Sequence, residues 1–85
     1  MEEKQIGRIT HYFGNISVGI IEITDDTLSV GDTIHIKGHT TDFQQQIESI
    51  QIEHESVKKA KVGDKIGLKV KEHVREHDIV YKVIE

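Results

Sequence analysis

The sequence predicts an all-β fold, a single domain of six or seven antiparallel strands closed into a β-barrel. Apolar and polar residues alternate along most of the 85 residues, which is the period of a half-buried strand. Short turn sequences separate these stretches roughly every 8–12 residues, a spacing typical of sandwiches and barrels. The phrase Val-Gly-Asp-x-Ile occurs twice, at 30–34 and 62–66, each time ahead of an alternating stretch. Closure would remove the strand edges that otherwise promote aggregation.

The N-terminal part of the chain predicts two strands joined by a hairpin turn. The first strand runs from about Lys4 to Phe13, and Gly14-Asn15 forms the turn. In the second strand the apolar residues change parity, with Ile16, Val18 and Ile20 on one face and then Ile21 and Ile23 on the other. A flat strand would expose one of these sets. We therefore expect either a β-bulge between Gly19 and Ile21 or a strand that is covered on both faces.

The two Val-Gly-Asp phrases predict tight turns at the entrances of two further strands. Glycine adopts the positive φ that other residues avoid, and the aspartate can hydrogen-bond to nearby backbone amides. After the first phrase Ile34 and Ile36 are expected to face the core, and after the second Ile66, Leu68 and Val70 alternate in the same way. The glycines lie 32 residues apart. The two copies are either a structural repeat or a coincidence of a sequence that is common in β proteins.

The rest of the chain supplies the remaining strands and their connections. Phe43 begins a longer segment in which Ile47 is followed by Ile50 and Ile52 at the opposite parity, so we expect a bulge or bend near Glu48 and Ser49. Residues 57–64 are predicted to be a connector, either a loop, which is favoured, or one helical turn. Ile79, Tyr81 and Val83 alternate in a final strand.

The composition predicts a cytoplasmic protein that forms one domain over residues 1–85. There is no cysteine, so disulfides and thiolate zinc sites are excluded. Met1 is followed by acidic residues and Lys4 instead of a basic and then apolar segment, so we expect no secretory signal. No stretch approaches the roughly 20 apolar residues that a membrane-spanning helix needs, so we expect no association with a membrane.

Positive charge is concentrated in one part of the chain. Residues 1–57 contain 3 basic and 10 acidic side chains, whereas residues 58–75 contain 7 basic and 2 acidic ones. Lysines alternate with the buried positions of the strand at 65–71, so they are expected to face outward. They could contact phosphates, contact an acidic protein, or simply keep a strand face soluble. The candidate contact residues are Lys58, Lys59, Lys61, Lys65, Lys69 and Lys71.

The sequence does not contain a recognisable catalytic pattern. No serine lies in a Gly-x-Ser-x-Gly elbow, and there is no thiol nucleophile. No Gly-x-x-x-x-Gly-Lys-Ser/Thr loop is present, so the chain has no nucleotide-binding site of that kind. His73 and His77 have the spacing of metal ligands on a helix, but they lie between two strands, where a solvated loop is the favoured interpretation. We expect no enzymatic activity, no cofactor and no metal.

Several of these residues resemble the β-barrel second domain of translation GTPases such as elongation factor Tu, and the whole chain looks like the small stand-alone translation elongation factor-like proteins. A more distant resemblance is to the barrel at the end of some collagenase-like peptidases. The residues that match are Leu28-x-Val30-Gly31-Asp32-x-Ile34-x-Ile36-x-Gly38, Ile47-x-Ser49-Ile50, and Val57-x-x-Ala60-x-x-Gly63-Asp64-x-Ile66-Gly67-Leu68.

Two functions from different classes follow from this resemblance and from the charge distribution. The first is a non-catalytic translation-factor-like module that contacts RNA or a ribonucleoprotein through the six candidate lysines. The alternative is a protein-interaction or accessory domain that serves a separately encoded enzyme, such as a collagenase-like peptidase.

Overall fold

All regular secondary structure in residues 2–53 and 55–84, which are the residues that the computed structural model describes, is β-strand. The ten strands are β1 (Glu2–Phe13), β2 (Val18–Ile23), β3 (Leu28–Ser29), β4 (Thr33–Lys37), β5 (Asp42–Gln46), β6 (Ile50–Ile52), β7 (Glu55–Val57), β8 (Lys59–Ala60), β9 (Lys65–Lys69) and β10 (Ile79–Ile84). The expected all-β class is therefore confirmed. Nowhere in the described residues is there a helix with the length and hydropathy that crossing a membrane requires.

Eight strands form one antiparallel sheet, in the order β5-β4-β10-β1-β2-β9-β6-β7, while β3 and β8 pair separately. The expected closed barrel of six or seven strands is wrong, because β5 and β7 at the two ends of this order have no pairing that joins them within the described residues. The physical reason lies after β5. The segment 47–49 leaves the sheet there, and the next strand, β6, joins β9 through only one residue pair, Gln51 with Gly67.

The core consists of aliphatic side chains from every part of the sheet. Nine of the sixteen buried hydrophobic residues in the described chain are isoleucine, a β-branched residue that packs well on a pleated surface. Ile34 and Ile36 are fully buried, and Ile66, Leu68 and Val70 are at most 3% exposed, as the alternation predicts. In β10 the buried residue is Val80, whereas its neighbours Ile79 and Tyr81 are only half-buried.

Of the two alternatives expected for β2, the bulge is wrong, because β2 is regular and the bulges lie in its longer neighbour β1; the outer face of β2 is half-buried. The register of β1 shifts at Ile6, against β10, and at Thr10, against β2. Ile21 and Ile23 of β2 face the core, so Val18 and Ile20 face outward. The break between β5 and β6 coincides with the bend expected near Glu48 and Ser49.

The two Val-Gly-Asp phrases form the same turn. In 29–32 and in 61–64 the fourth residue donates its N–H to the carbonyl of the first at 3.0 Å. The aspartate carboxylate accepts the N–H of the first residue, at 2.8 Å in one turn and 3.0 Å in the other. Gly31 and Gly63 have φ of 98° and 94°, as a type II turn requires at its third position. The structural repeat is therefore confirmed.

A third copy of this turn, at 75–78, has histidine where the others have glycine. Asp78 donates its N–H to the Arg75 carbonyl at 3.1 Å, and its carboxylate accepts the Arg75 N–H at 2.9 Å. His77 occupies the third position with a φ of 75°. Because no glycine is present, the sequence did not reveal this copy.

Each turn also holds the backbone of one buried isoleucine. The third residue of the turn donates its N–H to the isoleucine carbonyl. The isoleucine in turn donates its own N–H to the backbone carbonyl of the turn aspartate. All six of these distances are 2.8 or 2.9 Å. The isoleucines are Ile47, Ile23 and Ile9 for the first, second and third turns, and each is at most 1% exposed. The turns therefore join the starts of β4, β9 and β10 to the core.

A histidine clamp, formed by His35 with Glu3 and Asp42, connects β1, β4 and β5 on the outer face. The His35 Nδ1 atom lies 2.7 Å from the Glu3 carboxylate, and Nε2 hydrogen-bonds to the Asp42 carboxylate. The bond to Asp42 is the main cause that raises the pKa of His35; burial opposes it and Glu3 adds to it. The same bond lowers the pKa of Asp42.

The turns predict opposite effects of two substitutions. A Cβ atom at Gly63 would meet no atom within 4 Å, so Gly63→Ala is expected to cost only the strain of its positive φ, about 1–2 kcal/mol of unfolding free energy. His77→Gly relieves that strain and should raise the unfolding free energy by about 0.5–1 kcal/mol. Urea denaturation measures both. A loss of stability in His77→Gly would contradict the equivalence of the three turns.

The histidine clamp predicts a pH-dependent contribution to stability. The folded pKa of His35 lies above the ordinary 6.5, so protonation stabilises the fold below that value, and the stabilisation is lost as the pH rises through the folded pKa. We expect His35→Gln to lower the Tm more at about pH 5.5 than at about pH 8.5. His39→Gln, at an exposed histidine, is the control. Equal Tm losses for His35→Gln at both pH values would refute the clamp.

Candidate interaction surface

The outer face of β1, β2 and β9 carries an apolar patch. Residues that lie opposite each other in an antiparallel pair point to the same face, and Phe13 is opposite Val18, while His11 is opposite Ile20. The chain turns between β1 and β2 through residues 14–17. We refer to Phe13, Ile16, Val18 and Ile20 as the outer patch.

Two side chains of the outer patch are largely exposed and two are partly exposed. Ile16 is 61% exposed and Phe13 is 44% exposed, whereas Val18 and Ile20 are half-buried. Solvation of contiguous apolar area is unfavourable, and patches of this kind mark interaction sites on soluble domains. Covering the exposed 44% of the Phe13 side chain on contact with a partner would recover about 1 kcal/mol.

Gly67 of β9 leaves this patch open on one side. It lies opposite Ile20 in the sheet, and a Cβ atom at this position would lie 3.6 Å from Val18 Cγ1 and 3.7 Å from Ile20 Cδ1. Any larger side chain would therefore cover part of the patch. Glycine here leaves the side chains of Val18 and Ile20 uncovered between Lys65 and Lys69.

Charged groups surround the apolar centre. Lys65 and Lys69 lie on the same face of β9, opposite Glu22 and Val18 of β2. Glu22 also accepts a 3.0 Å hydrogen bond from the Arg8 guanidinium. The arrangement is an apolar centre with a polar rim, which is the usual anatomy of a protein interface.

The six candidate lysines are all exposed, but they do not form a single line. Lys65 and Lys69 flank the outer patch. Lys71 follows β9, and its backbone N–H donates to the side chain of Gln45 at 2.9 Å. Lys58, Lys59 and Lys61 lie in and beside β8, which pairs with β3 instead of with the large sheet. None of the six forms an ion pair in the part of the chain that the structure describes.

The histidines near the hairpin do not gather into a metal site in residues 2–53 and 55–84, where no three metal-binding side chains come together. The segment that carries His73 and His77 is not helical, so the four-residue spacing does not place the two rings on one face. The His73 ring instead packs 4.5 Å from the Tyr12 ring, and His77 occupies the third turn.

Sequence reasoning missed the outer patch, although the signal was present. The change of parity in residues 16–23 places five aliphatic residues on two faces, and only one face of a strand can contribute to the core. We expected either a bulge or a strand covered on both faces, whereas the change of parity marks Val18 and Ile20 as residues of the outer face. The exposure of Phe13 depends on the bulge at Thr10, which has no signature in the sequence.

Comparison with known proteins relates this chain to proteases. No protein-family model matches it. The chain is 42% identical over 82 residues to an uncharacterized protease of Methanocaldococcus jannaschii and 37% identical over 82 residues to a collagenase of Porphyromonas gingivalis. Both alignments cover 95% of this chain but only 20% and 23% of the relative. The chain therefore spans about a fifth of the length of these curated relatives.

The solved structures agree in fold with this relationship. The C-terminal domain of a Geobacillus thermoleovorans protein assigned to the U32 peptidases superposes with a TM-score of 0.88, over 95% of this chain and 93% of that domain. Its sequence identity is 19%, so this likeness concerns the fold. A selenomethionine variant of the same domain superposes with a TM-score of 0.85.

These findings overturn the resemblance to translation factors. The relatives are named as proteases and collagenases, and the structural neighbours are C-terminal domains from the U32 peptidases. The translation-factor identification and the RNA-binding role that depended on it are wrong. The motifs behind it, short turns followed by alternating strands, report an architecture that unrelated functions share. In sequence the chain is similar to one segment of collagenase-type proteases.

Proposed function

We propose that this chain is a non-catalytic accessory module that binds the catalytic portion of a collagenase-type peptidase through the outer patch. The observation that carries the proposal is the exposed apolar surface on a domain that is similar to about a fifth of each related protease. A segment of that size leaves most of the protease to supply the reaction. The module would contribute a binding surface.

The chemistry of the surface supports a protein partner. Phe13 and Ile16 provide apolar area at the end of the hairpin, and the absence of a side chain at Gly67 leaves Val18 and Ile20 uncovered between two lysines. Lys65 and Lys69 favour carboxylates on the opposing surface. Electrostatic complementarity of this kind accelerates association and sets orientation more than it increases affinity.

Direct binding tests this proposal. The probe is the catalytic portion of a collagenase-type peptidase from the same genome, and calorimetry measures its affinity for the chain. We expect the double substitution Phe13→Ser with Ile16→Ser to weaken binding at least about tenfold, because both side chains lose their buried apolar area. Val62→Ser, at another exposed apolar residue (56% exposed), is the matched control and should leave the affinity unchanged.

Charge substitutions separate the lysines that flank the patch from those near β8. Lys65→Glu with Lys69→Glu should slow association and reduce its dependence on salt concentration. Lys58→Glu with Lys59→Glu makes the same change of charge away from the patch and should alter association less. An equal effect of both pairs, or no binding by the unaltered chain, would contradict the proposed surface.

A second prediction concerns catalysis. Because the module supplies a surface and no reacting groups, the isolated chain is expected not to cleave gelatin or short peptide substrates. Fluorescence from a quenched gelatin substrate measures this directly, with the complete peptidase as the positive control. Turnover that stays with the chain through purification, and that a single substitution abolishes, would refute the non-catalytic assignment.

A further inference from the structure

The large sheet has a gap between β5 and the end of β9. β5 is the last strand in the order of the sheet, so its outer edge is unpaired within residues 2–53 and 55–84. On the other side of the gap, Val70 donates its backbone N–H to the Ser17 carbonyl. Because backbone groups alternate in direction along an extended chain, the Lys69 carbonyl and the Lys71 N–H point the other way, toward β5. A cleft of about 380 Å³ lies between these two walls.

The backbone groups on the free edge of β5 can be assigned from the hairpin. Gly38 donates its N–H to the Thr41 carbonyl at 2.7 Å, so these two residues form a hydrogen-bonded pair. In an antiparallel ladder, hydrogen-bonded and non-hydrogen-bonded pairs alternate, so every second residue of β5 bonds to β4. Phe43 and Gln45 therefore bond to β4, whereas the N–H and carbonyl groups of Gln44 and Gln46 point away from it. The free edge presents donors and acceptors at strand spacing.

The side chain of Gln45 occupies the gap in place of a strand. Its amide nitrogen donates to the Lys69 carbonyl at 2.8 Å, and its amide oxygen accepts the Lys71 N–H at 2.9 Å. A side-chain amide thus makes the pair of bonds that a neighbouring backbone would make. An added strand would lie about 4.8 Å from β5, where the Gln45 amide now makes these two bonds, so strand addition requires that this amide move aside.

The charge of the cleft indicates which peptides would fit. Its charged lining residues are Lys69, Lys71 and Glu48, which together carry a net positive charge. Lys69 and Lys71 are exposed and form no ion pair within the described residues. A peptide with carboxylates on alternate residues would place them beside these ammonium groups, while its backbone pairs with β5.

We propose that the free edge of β5 and the adjoining cleft bind an extended acidic peptide, which adds to the sheet as a strand. Main-chain hydrogen bonds to Gln44 and Gln46 would provide affinity, and Lys69 and Lys71 would provide the preference for acidic side chains. This site lies at the edge of β5, whereas the outer patch lies on the face of β1, β2 and β9; Lys69 borders both, so Phe13 and Ile16 are the residues that distinguish the patch from the cleft. Peptide binding here does not depend on the proposed contact with a peptidase.

The test uses a blocked heptapeptide of alternating glutamate and valine, titrated into isotope-labelled chain and followed by NMR. We expect amide shift changes at 42–46 and 69–71. Two further peptides carry N-methyl groups on either the glutamate amides or the valine amides. Only one set of amides faces β5 in a strand, so one methylated peptide should lose binding and the other should retain it.

Variants of the chain identify the contacts. Gln44→Pro removes an N–H that β4 does not use, and it should raise the Kd about tenfold. Lys69→Gln with Lys71→Gln should raise the Kd about fivefold and reduce its salt dependence. Lys58→Gln with Lys59→Gln is the charge-matched control. The Phe13→Ser and Ile16→Ser variant should bind the peptide normally, which separates this site from the outer patch.

Several results would overturn the proposal. One is the absence of shift changes at 42–46 and 69–71 with the peptide at millimolar concentration. Equal binding by the two methylated peptides would exclude strand addition. Equal or tighter binding of a peptide with lysine in place of glutamate would exclude the preference for acidic ligands.

Discussion

Three copies of one hydrogen-bonded turn join the strands of this fold to its core. Each turn closes on itself through an aspartate carboxylate and then binds the backbone of a buried isoleucine from another segment. Six bonds of 2.8–2.9 Å therefore join the starts of β4, β9 and β10 to residues 47, 23 and 9. Each turn satisfies backbone groups that would be costly to bury unpaired, and it fixes a strand against the core at the same time.

The sequence predicted those parts of the architecture that depend on residues close together in the chain. Alternation placed Ile34, Ile36, Ile66 and Leu68 in the core, and glycine with aspartate revealed two of the three turns. The third turn was missed because His77 adopts a positive φ without glycine. The failure of the sheet to close could not be predicted, because closure depends on where β5 ends relative to β9, and these two strands lie far apart in the sequence. The bulges in β1 likewise exist only relative to its two neighbours.

The candidate site was less predictable than the fold for a physical reason. A lysine is recognisable as a surface residue in any sequence, whereas an outward isoleucine is recognisable only when the opposite face of its strand is known to be buried. Val18 and Ile20 could be assigned to the surface only after Ile21 and Ile23 were seen in the core. The same local signals also led to the resemblance to translation factors, since turns and alternation define an architecture and not a partner.

The proposed function requires that a peptidase cover the outer patch, and isoleucine methyl groups report this directly. In the free chain a soluble paramagnetic agent should broaden the methyl signals of Ile16 strongly, those of Ile20 moderately, and those of buried Ile21 little. Addition of the catalytic portion of the peptidase should protect Ile16 and Ile20 and leave exposed Ile84 unchanged. Unchanged broadening of Ile16 and Ile20 in a complex that has demonstrably formed would contradict the account.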